Sequence, residues 1–330
     1  MSSSERLTST GTRLSVIRPS EAEVPASRPA RFCFIVEEKY ENDRMPGVVV
    51  DALTSLGHQV DVVRPNRDLV DISAMVPVGE DAYDAYVLKT VSGGPGLSIL
   101  EAAAAAGIPG VNDHRAVRLA RDKAVAAARA RAAGIPFPQT WFAARSALLA
   151  GLPAEAYPLV VKPNDGSSCE GVLRVDSPAE LAELDIDDSG FLLVQPYLPN
   201  PGYDLKLYNT GDGIFAAVKR SPLHEGEDVV EELIPVTEEL RELTLAVNRA
   251  FGLDIYSIDV IDTPEGWIVL DINDFPSFGL VPGAAEHLAR TMIRLARAAQ
   301  PTTTAARPAA AAAGPARPAG AAGADIEATA

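Results

Sequence analysis

The chain has 330 residues, 47% of them hydrophobic, and a formal net charge of −16 at pH 7. This length and apolar content are sufficient for a sizeable core divided among two or three subdomains. Proteins that bind nucleic acid usually present a basic face, so the acidic excess argues against nucleic acid as a partner. The same acidity disfavours a substrate that carries many phosphate groups.

Cysteine content and hydropathy indicate the cellular compartment. Cys33 and Cys169 are the only cysteines and lie far apart, which is typical of a reducing compartment without structural disulfides. No apolar run approaches the length of a membrane span, and the polar N-terminus lacks the apolar core of a secretory signal. We therefore expect a cytoplasmic protein with no membrane partner.

Composition divides the chain into two tails and three ordered regions. Residues 1–29 are rich in Ser, Thr, Arg, Pro and Glu without periodicity, and residues 299–330 are mostly Ala, Pro, Gly and Thr. We predict that both tails are disordered. The three ordered regions are residues 30–112, 113–200 and 201–298.

The first ordered region alternates between strands and helices. Its predicted strands are 32–36, 60–63, 85–88 and 110–111, and its predicted helices are 46–56 and 97–106. Gly57 and Gly107 follow the two helices, in the position where glycine commonly ends a helix. This alternation predicts a small parallel α/β domain.

The remaining regions begin with a long helix and continue with short strands. The helix is predicted over residues 112–133, with a break near Asp122, which can cap a second segment. The predicted strands are 139–142, 159–162, 171–175, 191–194, 204–208 and 214–219, with helices at 240–251 and 284–298 on either side of a β-hairpin. Antiparallel signals dominate this half, which predicts an α+β arrangement.

A lysine and a loop of glycine and serine stand side by side in the second region. Lys162 ends a buried strand, where a cationic side chain is costly unless an anion meets it. The loop that follows exposes backbone N–H groups that can cradle phosphate. Its candidate contacts are Gly166, Ser167, Ser168 and Gly171. The alternative is an ordinary hairpin with a lysine that extends to solvent.

Two further segments are suited to a nucleotide. Lys123 lies near a helix start, where it can reach phosphates beside the positive helix end; on its own it is typical of a surface lysine. A strand at 191–194 runs into a bend whose backbone can contact an adenine edge and whose apolar side chains can enclose the ring. The residues of this bend are Gln195, Pro196, Tyr197 and Leu198.

Charged residues on two adjacent predicted strands form another candidate site. Asp204 and Lys206 share one strand face, and Lys219 and Arg220 end the next strand. Lys206 and Arg220 are candidates for binding a triphosphate or an anionic substrate. The arginine fork matches carboxylate and phosphate equally well, so the pattern does not distinguish between them.

The two apolar runs 255–261 and 267–273 are joined by a turn-forming segment and predict a β-hairpin. Antiparallel pairing places Asp259 near Asp271 and Asn273, and the last two point to the same face. Two carboxylates and an amide oxygen on one face form the hard-oxygen site that Mg²⁺ prefers. The alternative is a polar hairpin edge, in which the carboxylates repel one another without benefit.

Taken in order, these pieces resemble the ATP-grasp superfamily over residues 31–297. The resemblance implies a small parallel α/β (pre-ATP-grasp) domain followed by two α+β subdomains that clamp ATP. Residues 113–200 are then the central or lid subdomain, and residues 201–298 are the C-terminal subdomain with the metal site. It also implies ATP and Mg²⁺ as cofactors, with Mn²⁺ as an alternative ion. The implied contacts are Lys123 and Lys162 with phosphates, Gln195 to Leu198 with adenine, and Asp259, Asp271 and Asn273 with the metal.

Two branches of the superfamily are similar to this chain. The ribosomal-protein glutamate ligases resemble it in residues 118–138 and 195–197. The inositol trisphosphate kinases resemble it in residues 206–208, 218–223 and 252–276. The chain departs from both, because it lacks the Asn-x-x-x-Gly-Gly segment of the ligases and the phosphate-loop histidine of the kinases.

The preferred prediction is an ATP-dependent carboxylate–amine ligase that activates a small-molecule or peptide carboxylate as an acyl phosphate. Arg220 and Lys162 are the predicted catalytic residues, because they can stabilise the acyl phosphate and the transferring phosphoryl group. The alternatives are a small-molecule kinase, with Arg220 and Lys206 on substrate phosphate, and a non-catalytic nucleotide-binding module. A homo-oligomer is left open, since superfamily relatives commonly self-associate.

Overall fold

The computed structural model of the chain describes residues 28–79, 81–89, 94–164, 166, 171–184, 186, 190–199, 201–221, 223 and 229–299. The two predicted tails lie almost wholly outside these residues. Within the described part, no helix is both long and apolar enough to cross a membrane. Cys33 is buried and free, and Cys169 lies outside the described residues.

The N-terminal region forms a parallel sheet, as predicted. Its elements are β1 (Arg31–Val36), α1 (Arg44–Ser55), β2 (Gln59–Val63), β3 (Ala85–Lys89), α2 (Pro95–Ala105) and β4 (Gly110–Val111), with 3-10 helices at Glu38–Tyr40 and Ile72–Ala74. The strand order is β2-β1-β3-β4, and neighbouring strands pair in parallel. Every residue of β3 is buried, as expected for a parallel strand covered on both faces.

Two helices follow, α3 (His114–Arg121) and α4 (Lys123–Ala132). Asp122 lies between them with extended backbone angles, φ −85° and ψ 102°. Its carboxylate accepts hydrogen bonds from the backbone N–H groups of Ala124 and Val125, both at 3.1 Å, and so caps the first turn of α4. The predicted break near Asp122 is confirmed, and it makes Lys123 the first residue of α4.

The middle region forms a second sheet, here called the lid sheet. Its elements are β5 (Trp141–Ala143), 3-10 helices at Ser146–Gly151 and Ala154–Ala156, β6 (Leu159–Pro163), β7 (Leu173–Val175), α5 (Pro178–Glu183) and β8 (Leu192–Pro196). The strand order is β5-β8-β6-β7, with antiparallel pairs. Sequence periodicity does not predict α5, because six residues are too few to show a helical repeat.

The last region forms a third sheet, here called the floor sheet. Its elements are β9 (Tyr203–Asn209), β10 (Ile214–Arg220), β11 (Glu232–Ile234), α6 (Glu238–Phe251), β12 (Tyr256–Thr263), β13 (Gly266–Asn273) and α7 (Ala284–Ala298). The strand order is β11-β10-β9-β12-β13, with antiparallel pairs. Strand β11 is not predicted from the sequence, because it is short and largely exposed and shows no alternation of polar and apolar residues.

Packing of the helices connects the three sheets. Helices α1 and α7 cover one face of the parallel sheet, and α2 covers the other. Because α7 follows the floor sheet in the chain, its packing against α1 joins the two ends of the ordered chain. Helices α3, α4 and α6 pack against the floor sheet, whereas the lid sheet has a hydrophobic core of its own.

Asn112, which follows β4, ties the N-terminal region to the β12–β13 hairpin. Its side-chain amide donates to the carbonyl oxygens of Ile255 and Asp274, both at 2.7 Å. Its side-chain carbonyl accepts from the N–H groups of Asp254 and Ile255 at 2.8 and 2.9 Å. Asn112 is only 2% exposed, so these groups have no ready access to water. One side chain therefore anchors both the start of β12 and the end of β13.

We expect Asn112→Ala to destabilise the protein strongly. The substitution leaves several buried backbone groups without partners, and each such group costs about 1–3 kcal/mol. At this chain length a total loss of about 3 kcal/mol lowers the midpoint of thermal unfolding by roughly 5–10 °C. Asn66→Ala is the control, because Asn66 is exposed. Equal melting temperatures for the two variants would contradict the anchoring role.

Candidate functional site

A cavity of about 460 Å³ lies between the lid sheet and the floor sheet, with residues of the N-terminal region at one end. Its volume suits a small-molecule ligand. The predicted site residues that line it are Lys123, Lys162, Gly166, Gln195, Pro196, Tyr197, Leu198, Asp204, Lys206, Arg220, Asp259, Asp271 and Asn273. Gly171 does not line the cavity, and Ser167 and Ser168 lie outside the described residues.

The β12–β13 hairpin brings three oxygen-bearing side chains to one face. Asp259 pairs directly with Asp271, and Asn273 lies two residues further along β13. The side-chain amide of Asn273 donates to Asp259 at 3.1 Å. The register shifts between Asp259 and Val260, and such a bulge locally re-aims the side chains of a strand. This pairing is the one that the sequence predicts.

Two lysines lie against these carboxylates. The ammonium group of Lys123 donates to both oxygens of Asp271 at 2.7 Å, and that of Lys206 donates to Asp259 at 2.7 Å. Burial alone raises the pKa of Asp271, but the charges of Lys123 and Lys162 outweigh burial and hold that pKa below its ordinary value. Asp271 is therefore ionised at neutral pH, and the face attracts cations.

Lys162 reaches the same face from the lid sheet. Its ammonium group donates to the carbonyl oxygen of Leu270 on β13 at 3.3 Å. Asn164, directly after β6, accepts from the N–H of Ala124 at 2.9 Å and donates to the carboxylate of Asp122 at 3.2 Å. These contacts hold the end of β6 against the start of α4, so that lysines from both elements converge on the hairpin.

The segment 195–198 connects the lid sheet to the floor sheet and lines the cavity. The N–H of Tyr197 donates to the carbonyl oxygen of Pro158 at 2.8 Å, and the side-chain amide of Gln195 donates to the hydroxyl of Thr140 at 3.0 Å. Apolar residues that line the cavity include Val160, Leu198, Ile261 and Leu270. Apolar side chains beside a fixed backbone segment are suited to a flat aromatic ring.

Strands β9 and β10 carry the charged residues of the floor. Asp204 lies opposite Lys219, and Tyr203 lies opposite Arg220. Because side chains alternate between the faces of a sheet, Lys219 rather than Arg220 shares the face of Asp204 and Lys206. Arg220 nevertheless lines the cavity, as the last residue of β10. Strand β10 thus contributes two basic residues to the cavity, Lys219 and Arg220, and the sequence analysis assigns a role only to Arg220.

Further lining residues come from the N-terminal region and from the end of α3: Tyr40, Asp43, Lys89 and Arg121. Sequence reasoning assigns no role to them. The sequence did contain a signal for Lys89, because it ends the apolar strand β3 much as Lys162 lies at the penultimate position of the apolar strand β6. Lys89 is only 4% exposed. Burial lowers the pKa of Lys89, and the neighbouring Asp43 opposes that effect.

The side chains at the centre of the cavity are chemically suited to a cation and a polyanion together. Asp259, Asp271 and Asn273 offer the oxygen atoms that Mg²⁺ prefers. Within the described part of the chain, no three His, Cys, Asp or Glu side chains gather into a metal-type cluster, so this set depends on the amide oxygen as its third ligand. The surrounding lysines provide the positive charge that a phosphate chain requires.

Comparisons with known proteins show which family this chain is similar to. Residues 120–293 match the family model described as the RimK-like ATP-grasp domain. A probable alpha-L-glutamate ligase of Mannheimia succiniciproducens is 28% identical over 254 residues, which cover 68% of this chain and 84% of that protein. A second, from Pseudoalteromonas translucida, is 26% identical over 250 residues, covering 69% and 82%.

Solved structures share the fold. A RimK domain ATP-grasp protein from Sphaerobacter thermophilus matches with a TM-score of 0.63 and 19% identity, covering 79% of this chain and 99% of that one. The D-cycloserine synthetase DcsG matches with a TM-score of 0.63 and 18% identity, covering 82% and 100%. The predicted ATP-grasp fold is confirmed. The family model matches more than half of the residues of this chain, so the chain belongs to the RimK-like ATP-grasp domain family.

Proposed function

We propose that this protein is an ATP-dependent carboxylate–amine ligase, which activates the carboxylate of a small molecule or peptide as an acyl phosphate. The observation that carries the proposal is the shared face of β12 and β13, where Asp259 and Asp271 meet lysines from α4, the lid sheet and the floor sheet. The relatives described above are named glutamate ligases, and a synthetase shares the fold. Both agree with the preferred prediction.

ATP is the proposed nucleotide. In this proposal the adenine ring binds against the apolar lining residues beside residues 195–198. Gly166 belongs to the loop that contacts the phosphates. Lys123 and Lys162 serve the phosphate chain, because both ammonium groups already lie at the carboxylate face of the hairpin. Lys206 adds a third positive charge from β9.

Mg²⁺ is the proposed metal, with Mn²⁺ as the alternative ion. The residues that would hold it are Asp259, Asp271 and Asn273, and their oxygen atoms fit a hard cation. Lys123 and Lys206 already place ammonium groups against the two carboxylates, so the face accepts positive charge. When bound, the metal neutralises charge on the phosphoryl group.

The protein's own groups position and stabilise the reacting molecules. In the first step, a carboxylate oxygen of the substrate bonds to the γ-phosphorus while the bond to ADP breaks, which yields an acyl phosphate. In the second step, an amine bonds to the acyl carbon, loses its proton and releases phosphate. Lys162 stabilises the transferring phosphoryl group, and Arg220 at the end of β10 holds the acyl phosphate.

The kinase alternative has less support. None of the relatives and structures named above is called a kinase. A polyphosphorylated substrate also requires cations in excess of the local acids. In the cavity, however, Lys219 is paired with Glu231 at 2.8 Å and Lys206 with Asp259 at 2.7 Å, which reduces the positive charge that remains for such a substrate.

The cytoplasmic location, the exclusion of nucleic acid and membrane as partners, and any homo-oligomer stay predictions.

Asp204 is the floor carboxylate whose titration the structure changes most clearly. Burial raises the pKa of Asp204 to about 6, and the nearby Asp259 adds to that effect, against a hydrogen bond from Ser221 and the charge of Lys206. The folded protein thus holds a proton on Asp204 that the unfolded chain releases near pH 4. The ionised carboxylate therefore destabilises the folded protein at neutral pH.

Incubation with Mg²⁺ and γ-labelled ATP in a deproteinised metabolite extract tests the reaction class. We expect the label to appear as free phosphate only when extract is present, because the acyl phosphate releases its phosphate to water once the amide forms. Protein and extract incubated separately with the labelled ATP are the controls. Label retained on a small metabolite would mean that the protein is a kinase.

Asp271→Asn tests the carboxylate face. The substitution keeps the size of the side chain but removes the charge that would hold the metal, so we expect phosphate release to fall by at least about a hundredfold. Asp262→Asn is the matched control, because Asp262 lies on the same hairpin, is exposed and does not line the cavity. Near-normal turnover by Asp271→Asn, with an unchanged far-UV spectrum, would refute the metal assignment.

Asp204→Asn tests the titration of the floor carboxylate. A shift of about two pKa units corresponds to ~3 kcal/mol, and partial exposure reduces it, so we expect the variant to be about 1–2 kcal/mol more stable than the wild type at pH 7.5. The difference should vanish as the pH falls through 6 towards 4, because the wild-type carboxyl then gains its proton. Urea unfolding across this range provides the measurement. A pH-independent difference, matching that of Asp262→Asn, would contradict the shift.

A further inference from the structure

A second cavity, of about 440 Å³, lies within the N-terminal region and shares no lining residue with the cavity between the lid and floor sheets. Its walls are the parallel sheet, α2 and the connection from β2 to β3, and most of its lining side chains are apolar. Connections between parallel strands usually contain an α-helix that covers the sheet. The described part of this connection contains only the 3-10 helix Ile72–Ala74, so the sheet is incompletely covered beside α2.

The connection from β2 to β3 exposes several large aliphatic side chains. Leu69 is fully exposed, and Ile72, Val76 and Val78 are exposed as well. Leu69 and Val76 also line the second cavity. Large aliphatic side chains that gather around an apolar cavity are typical of a surface that binds another apolar group.

Two aspartates, Asp68 and Asp71, line the second cavity and have no ion pair within the described part of the chain. The carboxylate of Asp68 accepts from the backbone N–H of Arg64 at 2.6 Å, and that of Asp71 accepts from the backbone N–H of Ser73 at 2.9 Å. These hydrogen bonds fix the two side chains without neutralising their charge. The cavity therefore offers two fixed negative charges beside its apolar lining.

One arginine already binds at this cavity. Arg31 pairs with Asp61 at 3.0 Å and with Asp81 at 3.3 Å, and its guanidinium carbon lies 4.7 Å from the centroid of the Tyr83 ring. Asp81 and Tyr83 both line the cavity. A guanidinium group is suited to such a combination of carboxylate and aromatic ring. The cavity is thus chemically matched to an apolar group that carries arginine side chains.

The N-terminal segment joins the described structure beside the second cavity. Arg28, the first described residue, pairs with Asp84 at 2.5 Å, and Asp84 directly follows Tyr83 of the cavity lining. Residues 19–27 can span up to about 30 Å when extended. The residues that precede position 19 can therefore reach the cavity.

Residues 13–18 have the composition that the second cavity requires. Their sequence is Arg-Leu-Ser-Val-Ile-Arg, in which three aliphatic side chains lie between two arginines. Elsewhere in residues 2–27, Leu7 and Val24 are isolated large aliphatic residues. The C-terminal residues 300–330 are less suited, because Ile326 is their only large aliphatic residue and α7, which precedes them, packs on the opposite face of the parallel sheet.

We propose that residues 13–18 of this chain dock into its own second cavity. Leu14, Val16 and Ile17 fill the apolar space, and the two flanking arginines pair with Asp68 and Asp71. Composition predicts no stable structure for the N-terminal segment by itself, and docking supplies the apolar burial that the segment lacks. Because the segment is tethered beside the cavity, docking is intramolecular and requires only modest affinity. This docking is independent of the proposed ligase function.

Photo-crosslinking of the full chain tests the docking. The photoreactive residue benzoylphenylalanine replaces Ser15, which leaves the three aliphatic side chains of the segment intact. The same replacement at Ser4, outside the segment, is the matched control. Mass spectrometry after irradiation identifies the labelled residues. We expect the probe at position 15 to label residues 62–86 of the same chain, with a yield that does not depend on protein concentration, and the probe at position 4 to show no such preference.

Substitutions in the segment identify the apolar contribution. Leu14→Ser combined with Ile17→Ser should reduce the labelling of residues 62–86 by at least about tenfold, because each loses a buried aliphatic side chain. Leu7→Ser is the matched control and should leave the labelling unchanged. These residues lie outside the described structure, so neither set of changes alters a contact of the folded regions.

Substitutions in the cavity identify the partner surface. Leu69→Ser should also reduce the labelling, and full exposure of Leu69 makes a loss of folding unlikely to follow. Leu148→Ser, at an exposed leucine of the middle region, is its control. Asp68→Asn combined with Asp71→Asn keeps both acceptor oxygens, removes the charges and should reduce the labelling by about threefold or more. The thermal midpoint of each variant reports whether the fold is intact.

Three results would overturn the docking. The probe at position 15 labels residues outside 62–86 as often as residues within that range, or Leu14→Ser with Ile17→Ser is labelled as strongly as the wild-type segment. The third is an adduct that joins two chains and whose yield rises with protein concentration, which would mean that the cavity binds a second copy of this chain instead of its own N-terminal segment.

Discussion

The site depends on the register of the β12–β13 hairpin. Asp259, Asp271 and Asn273 share one face only because Asp259 pairs with Asp271 and because side chains two residues apart point the same way. A slip of one residue would turn all of β13's side chains to the opposite face and separate the carboxylates. Asn112 opposes such a slip, because it holds both the residues before β12 and the carbonyl oxygen just after β13.

Charge pairing across subdomains is the second constraint. The acidic face belongs to the floor sheet, whereas two of the lysines that face it come from α4 and from the lid sheet. Each ammonium group lowers the cost of confining the carboxylates, and each carboxylate does the same for the lysines. The proposed nucleotide and metal would exchange these ion pairs for new ones, so their charges would enter a cavity that already holds paired charges. The same kind of pairing continues beside the hairpin, where Arg121 at the end of α3 pairs with Asp274.

Much of the architecture follows from local signals. Asp122 is recognisable as a capping residue from its position inside a helical stretch, and the structure shows the cap. Lys162 is recognisable because a charged residue that ends an apolar strand is costly without a partner. The elements missed are short ones, α5 and β11, in which too few residues repeat to reveal a period. The pairing of Lys219 rather than Arg220 with Asp204 required the observed register of β9 and β10.

The sequence by itself determined the alternation of strands and helices, the ATP-grasp order of motifs and the hairpin that carries the carboxylates, because these depend on neighbours within a few residues. Only the tertiary structure decided how the N-terminal region completes the cavity. Tyr40, Lys89 and Arg121 are far apart in the chain and come together through packing of α3 and the parallel sheet beside the end of β13. No local sequence pattern predicts these contacts, because the partner of each charged side chain depends on how distant segments of the chain pack together.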